Sequence, residues 1–322
     1  MGNLNCCQEN QFKHEENNKI YQINRVKYSK KESKEKESFN EKCEIISYDI
    51  EENITFKIYI KIPILTSLKG ISELNLNSKL YLCGTSSLDD DSSSYLFQLS
   101  FKSPSTKIMV NSKFCHYYPS LISINKDKII CIGGKRHVEC EIYDINIGHW
   151  EIIPDLPEER YKCSLCYDYK NKFLYLFGGI NSEKGKNKKF IENDFLRISC
   201  KNYSFPIWEK IFLETKVENK LLKRISSASI FLGEYIIILG GENEEGKKTK
   251  NISKYDIKTD SLEASVNQLE FPAKFNNQNN FTNDKNIFYL FDSDNNIHII
   301  NKQQYISNLD NDELQIKITT HS

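Results

Sequence analysis

Residues 119–156 read PSLISINKDKIICIGGKRHVECEIYDINIGHWEIIPDL. Four short strands can be read in this one stretch. Ser120 to Ile124 is a brief apolar run, and Lys128 to Gly134 (KIICIGG) is a second one that ends in a double glycine. A short apolar run bounded by turn formers reads as a buried strand. Glycine at its end permits positive φ and a close backbone approach, which a sharp exit from a packed strand needs. Downstream, Tyr143-Asp144-Ile145 is followed by the turn formers Asn146 and Gly148 and then by Trp150. That is a hairpin whose large residues can pack against a neighbouring sheet.

The same elements recur outward in both directions. KLYLCGT from Lys79, FLYLFGG from Phe173, YIIILGG from Tyr235 and IFYLFDS from Ile287 align with Lys128 to Gly134 without gaps, and successive starts are 49, 45, 62 and 52 residues apart. Tyr-Asp-Ile recurs at Tyr48 and Tyr255, with Phe56 and Leu262 in the place of Trp150. Lys162 to Tyr167 and Ser226 to Phe231 precede their runs as Ser120 to Ile124 precedes its own. The unit is four strands in about fifty residues, a repeat period that signals a solenoid, propeller or array.

Residues 119–156 resemble one complete kelch repeat. They carry Gly133 and Gly134, then Tyr143 and Trp150, and an Ile-Pro-Asp-Leu-Pro exit. The next repeat has Gly178, Gly179 and Trp208, with Phe195 in the tyrosine position. The third has Gly240, Gly241 and Tyr255, with Leu262 for tryptophan. The repeats around Tyr81 and Tyr289 are degenerate, with Cys83-Gly84 and Phe291-Asp292 at the double-glycine positions. The resemblance implies an all-β kelch-type β-propeller, a ring that leaves only short edges. It spans residues 43–318, behind a flexible tail and charged linker at 1–42. Six blades are expected, with five and seven open. The first is irregular, because Glu44 to Ile62 supplies only a hairpin that the tail or the C-terminus would complete.

Composition agrees with a globular all-β chain. Hydrophobic residues are 39 % and aromatics 12 %, including 18 Phe and 18 Tyr, which favours strands. Lysine plus arginine equals aspartate plus glutamate at 44 each, so bulk charge makes no case for nucleic acid. The ten cysteines, without a secretory signal, read as reduced thiols. Cys163 and Cys166 form a C-x-x-C, but a spacing of three on a strand sends them to opposite faces.

The chain begins Met-Gly-Asn-Leu-Asn-Cys-Cys. Gly2 resembles an N-myristoylation signal, with Cys6 where serine or threonine is usual, and Cys6 and Cys7 resemble palmitoylation acceptors. One myristoyl chain binds a bilayer only marginally, whereas two lipids anchor stably. From Lys13 to Lys42 there are nine basic and six acidic residues, too small an excess to replace the second lipid. The expected location is therefore the cytoplasmic face of a membrane.

The expected function is non-catalytic protein binding, without cofactor or metal. A kelch-type metal-dependent oxidase would need converging ligands. His14, His116, His137, His149, His298 and His321 show no ligand spacing. A structural part of a cytoskeletal assembly is the other alternative. About 42 residues precede the repeats, too few for a BTB domain, which disfavours that kind of adaptor. The loops after the seven-residue strands should share one rim. The first is acidic, with Asp89 to Asp91, and a mixed one follows Gly241. Between them lie Lys135, Arg136 and His137, then Lys184, Lys186, Lys188 and Lys189. An acidic or phosphorylated protein segment is the partner these basic loops would suit.

Overall fold

A computed structural model describes residues 19–26, 42–60, 69–77, 79–85, 94–101, 105–184, 190–192, 194–215, 223–275, 281–282, 287–301 and 317–319. The described residues are almost entirely strands and turns, with a single 3-10 turn at Lys201–Tyr203. A first sheet holds β1 (Lys19–Val26), β2 (Lys42–Asp49) and β3 (Ile54–Ile60). Blade I is β4 (Lys69–Leu76), β5 (Lys79–Thr85), β6 (Tyr95–Ser100) and β7 (Ser105–Ile108). Blade II is β8 (Ser120–Ser123), β9 (Lys128–Gly134), β10 (His137–Asp144) and β11 (His149–Ile153).

Blade III has β12 (Ser164–Asp168) and β13 (Phe173–Phe177), then a side ribbon of β14 (Ile180–Asn181) and β15 (Phe190–Ile191), then β16 (Phe195–Ser199) and β17 (Glu209–Ile211). Blade IV adds β18 (Glu214–Thr215) in parallel to β22 (Ser261–Ala273), beside β19 (Ala228–Phe231), β20 (Tyr235–Leu239) and β21 (Thr249–Asp256). Blade V is β23 (Phe281–Thr282), β24 (Ile287–Phe291), β25 (Ile297–Asn301) and β26 (Lys317–Thr319). The five aligned apolar runs are thus the second strands of five successive blades. Each is covered by a sheet on both faces, and six of the seven residues of β9 are buried.

Six inter-sheet cores close the circle. Leu74, Tyr81, Cys83 and Leu96 of blade I meet Leu121, Ile129, Tyr143 and Trp150 of blade II. Blades II and III share a core containing Ile132, Ile142, Leu176 and Trp208, and blades III and IV one containing Tyr175, Phe195, Tyr255 and Leu262. Ile237 and Leu239 of blade IV pack on Phe288 and Leu290 of blade V. The first sheet fills the remaining gap, setting Ile20, Ile46 and Tyr48 against Tyr289 and Phe291, and Tyr21, Cys43 and Ile45 against Leu80 and Phe97.

The result is an all-β propeller with five complete blades, not six. Among the described residues, the sheet in the expected sixth place has three strands, and none of them holds the innermost position. Side chains of β4 bond the backbone of β1. Tyr21 N–H donates to Asn75 Oδ1 at 3.1 Å, Asn75 Nδ2 donates to Tyr21 O at 2.7 Å, and Ile23 N–H donates to Glu73 Oε2 at 3.1 Å. Buried backbone groups must be paired, and these bonds satisfy those of β1 where the ring closes. This sheet begins at Lys19, inside the stretch read as tail and linker. Residues 1–18, with Gly2, Cys6 and Cys7, lie outside the described residues.

Two register details differ from the sequence reading. Tyr48 lies opposite Thr55, as Tyr143 lies opposite Trp150 and Tyr255 opposite Leu262. Phe56 falls one residue later, on the other face, and is 47 % exposed. Strand alternation makes that one-residue offset decisive. In blade III, Trp208 packs in the same core as Ile198, whereas Phe195 faces blade IV, 4.8 Å from the Tyr255 ring. Ile198, not Phe195, therefore occupies the tyrosine position.

Candidate functional site

The double glycines are explained by the chain that crosses them. Gly134 N–H donates to Arg160 O, Gly179 N–H to Arg224 O and Gly241 N–H to Ala273 O, at 3.1, 3.2 and 2.8 Å. Arg160 and Arg224 lie on the segments leading into the next blades, and Ala273 ends β22 where the chain leaves for blade V. A Cβ on Gly178 would lie 2.2 Å from Arg224 O, where φ is +61°. The loops after the second strands and the lead-in segments therefore meet at one end of the ring, around its axis.

At that end, four equivalent residues adopt the left-handed conformation: Gly70 (φ +59°), Tyr118 (+58°), Lys162 (+55°) and Ser226 (+52°). Their backbones join circumferentially. Tyr118 N–H donates to Gly70 O at 2.7 Å, Ser226 N–H to Lys162 O at 3.1 Å, and Phe275 N–H to Ser226 O at 2.7 Å. Bulky residues at positive φ are strained, and such strain tends to sit at functional positions. The ring frames an axial cavity of about 240 Å³ whose wall includes Ser72, Glu73, Ser120, Cys163, Ser227 and Phe275. Tyr118 and Lys162 are exposed at the mouth, with Lys162 Nζ 5.8 Å from the Tyr118 ring centroid.

Below the mouth the first strands are stitched together by hydroxyls. Ser72 bonds the Pro119 carbonyl, Ser120 Oγ contacts Cys163 O at 3.4 Å, and Ser164 Oγ donates to Ser227 O at 2.6 Å. Ser229 Oγ donates to Leu165 O at 2.6 Å.

Three buried basic residues hold the lead-in segments, a role the sequence reading gave to none of them. The first is His116, with Nδ1 2.8 Å from Gly133 O and Nε2 3.0 Å from Glu141 Oε2. Arg160, fully buried, pairs with Asp194. Burial alone would lower the guanidinium and raise the carboxyl, but their contact overrides it, so the Arg160 pKa is raised and the Asp194 pKa lowered. Arg224 donates to Gly240 O, Asn251 O and Ser253 Oγ, and burial pushes it down to about 10. A signal was present, since a basic residue stands sixteen to eighteen positions ahead of the first glycine in each of these three repeats.

The expected basic loops are only partly assembled. Lys135 N–H donates to Tyr117 O at 2.7 Å, which ties its loop to the mouth, and Arg136 is exposed at the turn tip with φ +66°. His137 Nδ1 is 3.3 Å from Glu139 Oε2. Lys184 is held by Glu158 and Glu192, which raise its pKa against the effect of burial. Lys186, Lys188, Lys189 and Asp89 to Asp91 lie outside the described residues.

Cys163 and Cys166 face different inter-blade cores, and burial raises both thiols. His298 Nε2 lies 3.0 Å from Asp292 Oδ2, so this histidine, like His116, is engaged by a carboxylate of its own blade. Among the described residues no group of three or more His, Cys, Asp or Glu is placed to hold a metal ion. Compared with known proteins, the chain matches no family model and no curated protein.

Proposed function

We propose that this propeller, of the kelch type, is a non-catalytic protein-binding module that docks an acidic or phosphorylated segment across its axial mouth. One observation carries the reading: the strained ring that sets exposed Tyr118 and Lys162 around an open cavity. A cation over an aromatic ring is a site for a carboxylate or phosphate, with apolar contact beside it. Lys135 and Arg136 extend the basic character onto the adjoining loop. Acyl chains on Gly2 and on Cys6, Cys7 or both hold the protein at the cytoplasmic face of a membrane.

Proximity labelling in the native cell tests both halves. Lys162→Glu with Arg136→Glu should lose a set of labelled partners while keeping the membrane background. Gly2→Ala should keep mouth-dependent partners but lose membrane neighbours. Stoichiometric copper in the purified protein would replace this reading with that of an oxidase.

A further inference from the structure

The end of the ring opposite the mouth carries the turns between first and second strands and between third and fourth strands. These turns touch one another: Asn77 Nδ2 donates to Lys126 O at 2.7 Å, and Asn125 Nδ2 donates to the Tyr203 hydroxyl at 2.8 Å. The chain enters the first sheet on this side. Tyr21 bonds Asn75 and Ile23 bonds Glu73, so β1 runs antiparallel to β4, and its start at Lys19 lies toward Asn77. Lys19 also pairs with Asp49, at the turn between β2 and β3.

The surface of this end has a distinctive composition over blades II and III. Ile147, Tyr169, Tyr203 and Ile207 are all at least half exposed, at 76, 50, 51 and 68 %. Interleaved with them are the exposed Lys126, Lys170, Lys172 and Lys201, which form no ion pair among the described residues. Within blade II, Lys128 pairs with Asp144. Elsewhere on this end Lys258 pairs with Glu234 in blade IV, and Glu51 and Glu52 make the far edge acidic.

We propose that this turn-bearing end is the membrane-facing surface, so that the axial mouth points away from the bilayer. The inference rests on the tethering reading above and adds an orientation to it. Eleven residues separate Cys7 from Lys19. At about 3.5 Å each they reach at most about 40 Å, so lipids on Gly2 and Cys6 would hold this end close to the headgroups. Exposed lysines suit an anionic leaflet, and tyrosines with isolated apolar residues suit the headgroup boundary.

The test is flotation of the purified, unacylated full chain with vesicles of phosphatidylcholine, with or without about 30 % phosphatidylserine. Wild type should prefer the anionic vesicles, and the preference should fade with salt. Changing Lys126, Lys170, Lys172 and Lys201 to Glu together should weaken that binding by about tenfold or more. Lys135→Glu with Arg136→Glu, at the opposite end, should change it less than about twofold, and near-wild-type circular dichroism would establish that both variants are folded. Wild type that ignores lipid charge, or equal losses in the two variants, would overturn the orientation. Mass spectrometry of the native N-terminus reads the acylation separately, so an unmodified Gly2 would sink the tether without deciding the vesicle result.

Discussion

Trp150 donates its indole Nε1 hydrogen to Val110 O at 2.8 Å, reaching from the outer strand of blade II to the end of blade I. Trp208 repeats the relationship one blade later, donating to Pro154 O at 3.0 Å. Each indole fills the gap to the preceding blade and satisfies a carbonyl there. Trp150 is 1 % exposed and lies 5.0 Å from the Tyr143 ring, so Trp150→Ala should cost about 3–5 kcal/mol. Urea denaturation would measure it, and a loss below about 1 kcal/mol would mean that the gap collapses without the ring.

The two kinds of glycine in this chain should respond differently to alanine. At Gly178 a Cβ would strike Arg224 O at 2.2 Å, and the backbone there cannot move without breaking the link to blade IV. Gly178→Ala should cost more than about 3 kcal/mol, combining strain at positive φ with the clash. Gly233, at φ +82°, has nothing within 4 Å of an added Cβ, so its substitution should cost only about 1 kcal/mol. Equal melting temperatures for the two variants would contradict this account of the double glycine.

The Arg160 and Asp194 pair is a point of asymmetry. Arg160 is fully buried, and Asp194 is its carboxylate partner. Asp194→Asn should therefore cost about 3–5 kcal/mol, because a buried cation loses its counter-charge. Adding Arg160→Met should recover much of that loss, a coupling that a double-mutant cycle reads directly. Additive losses would mean that the two side chains act independently.

Blade V should weaken in acid. Burial raises the Asp292 carboxyl, but hydrogen bonds from His298 and from Asn296 outweigh it and leave the pKa below its ordinary value. The native state then binds fewer protons than the unfolded state, so this contribution is present above about pH 3.9 and is lost as pH falls through the lower folded value. Denaturation midpoints from about pH 6 down to about pH 2.5 should fall more steeply for wild type than for Asp292→Asn. Parallel profiles would remove Asp292 from the acid response.

What the sequence determined by itself is the blade. An apolar run such as Lys128 to Gly134 needs burial on both faces. The Gly-Gly that ends it encodes a backbone path open to few other residues, and a Tyr-Asp-Ile hairpin follows at close range. All of this is local, so five second strands could be read from five segments. The C-x-x-C was legible for the same reason, because a spacing of three along the extended backbone from Cys163 into β12 sends the two thiols to different cores. Closure and the site were decided only in three dimensions. Whether Thr55 or Phe56 faces the core depends on which residue lies opposite Tyr48, and whether Lys184 is available to a partner depends on Glu158 and Glu192. The ring of left-handed residues exists because each lead-in segment bonds the one before it, as Tyr118 bonds Gly70 and Phe275 bonds Ser226. The bond that brings the ends of the ring together runs from Gln22 Nε2 to Asp292 O at 3.3 Å, between residues 270 positions apart. Contacts over such separations form only once the circle is complete, so no window of sequence contains them.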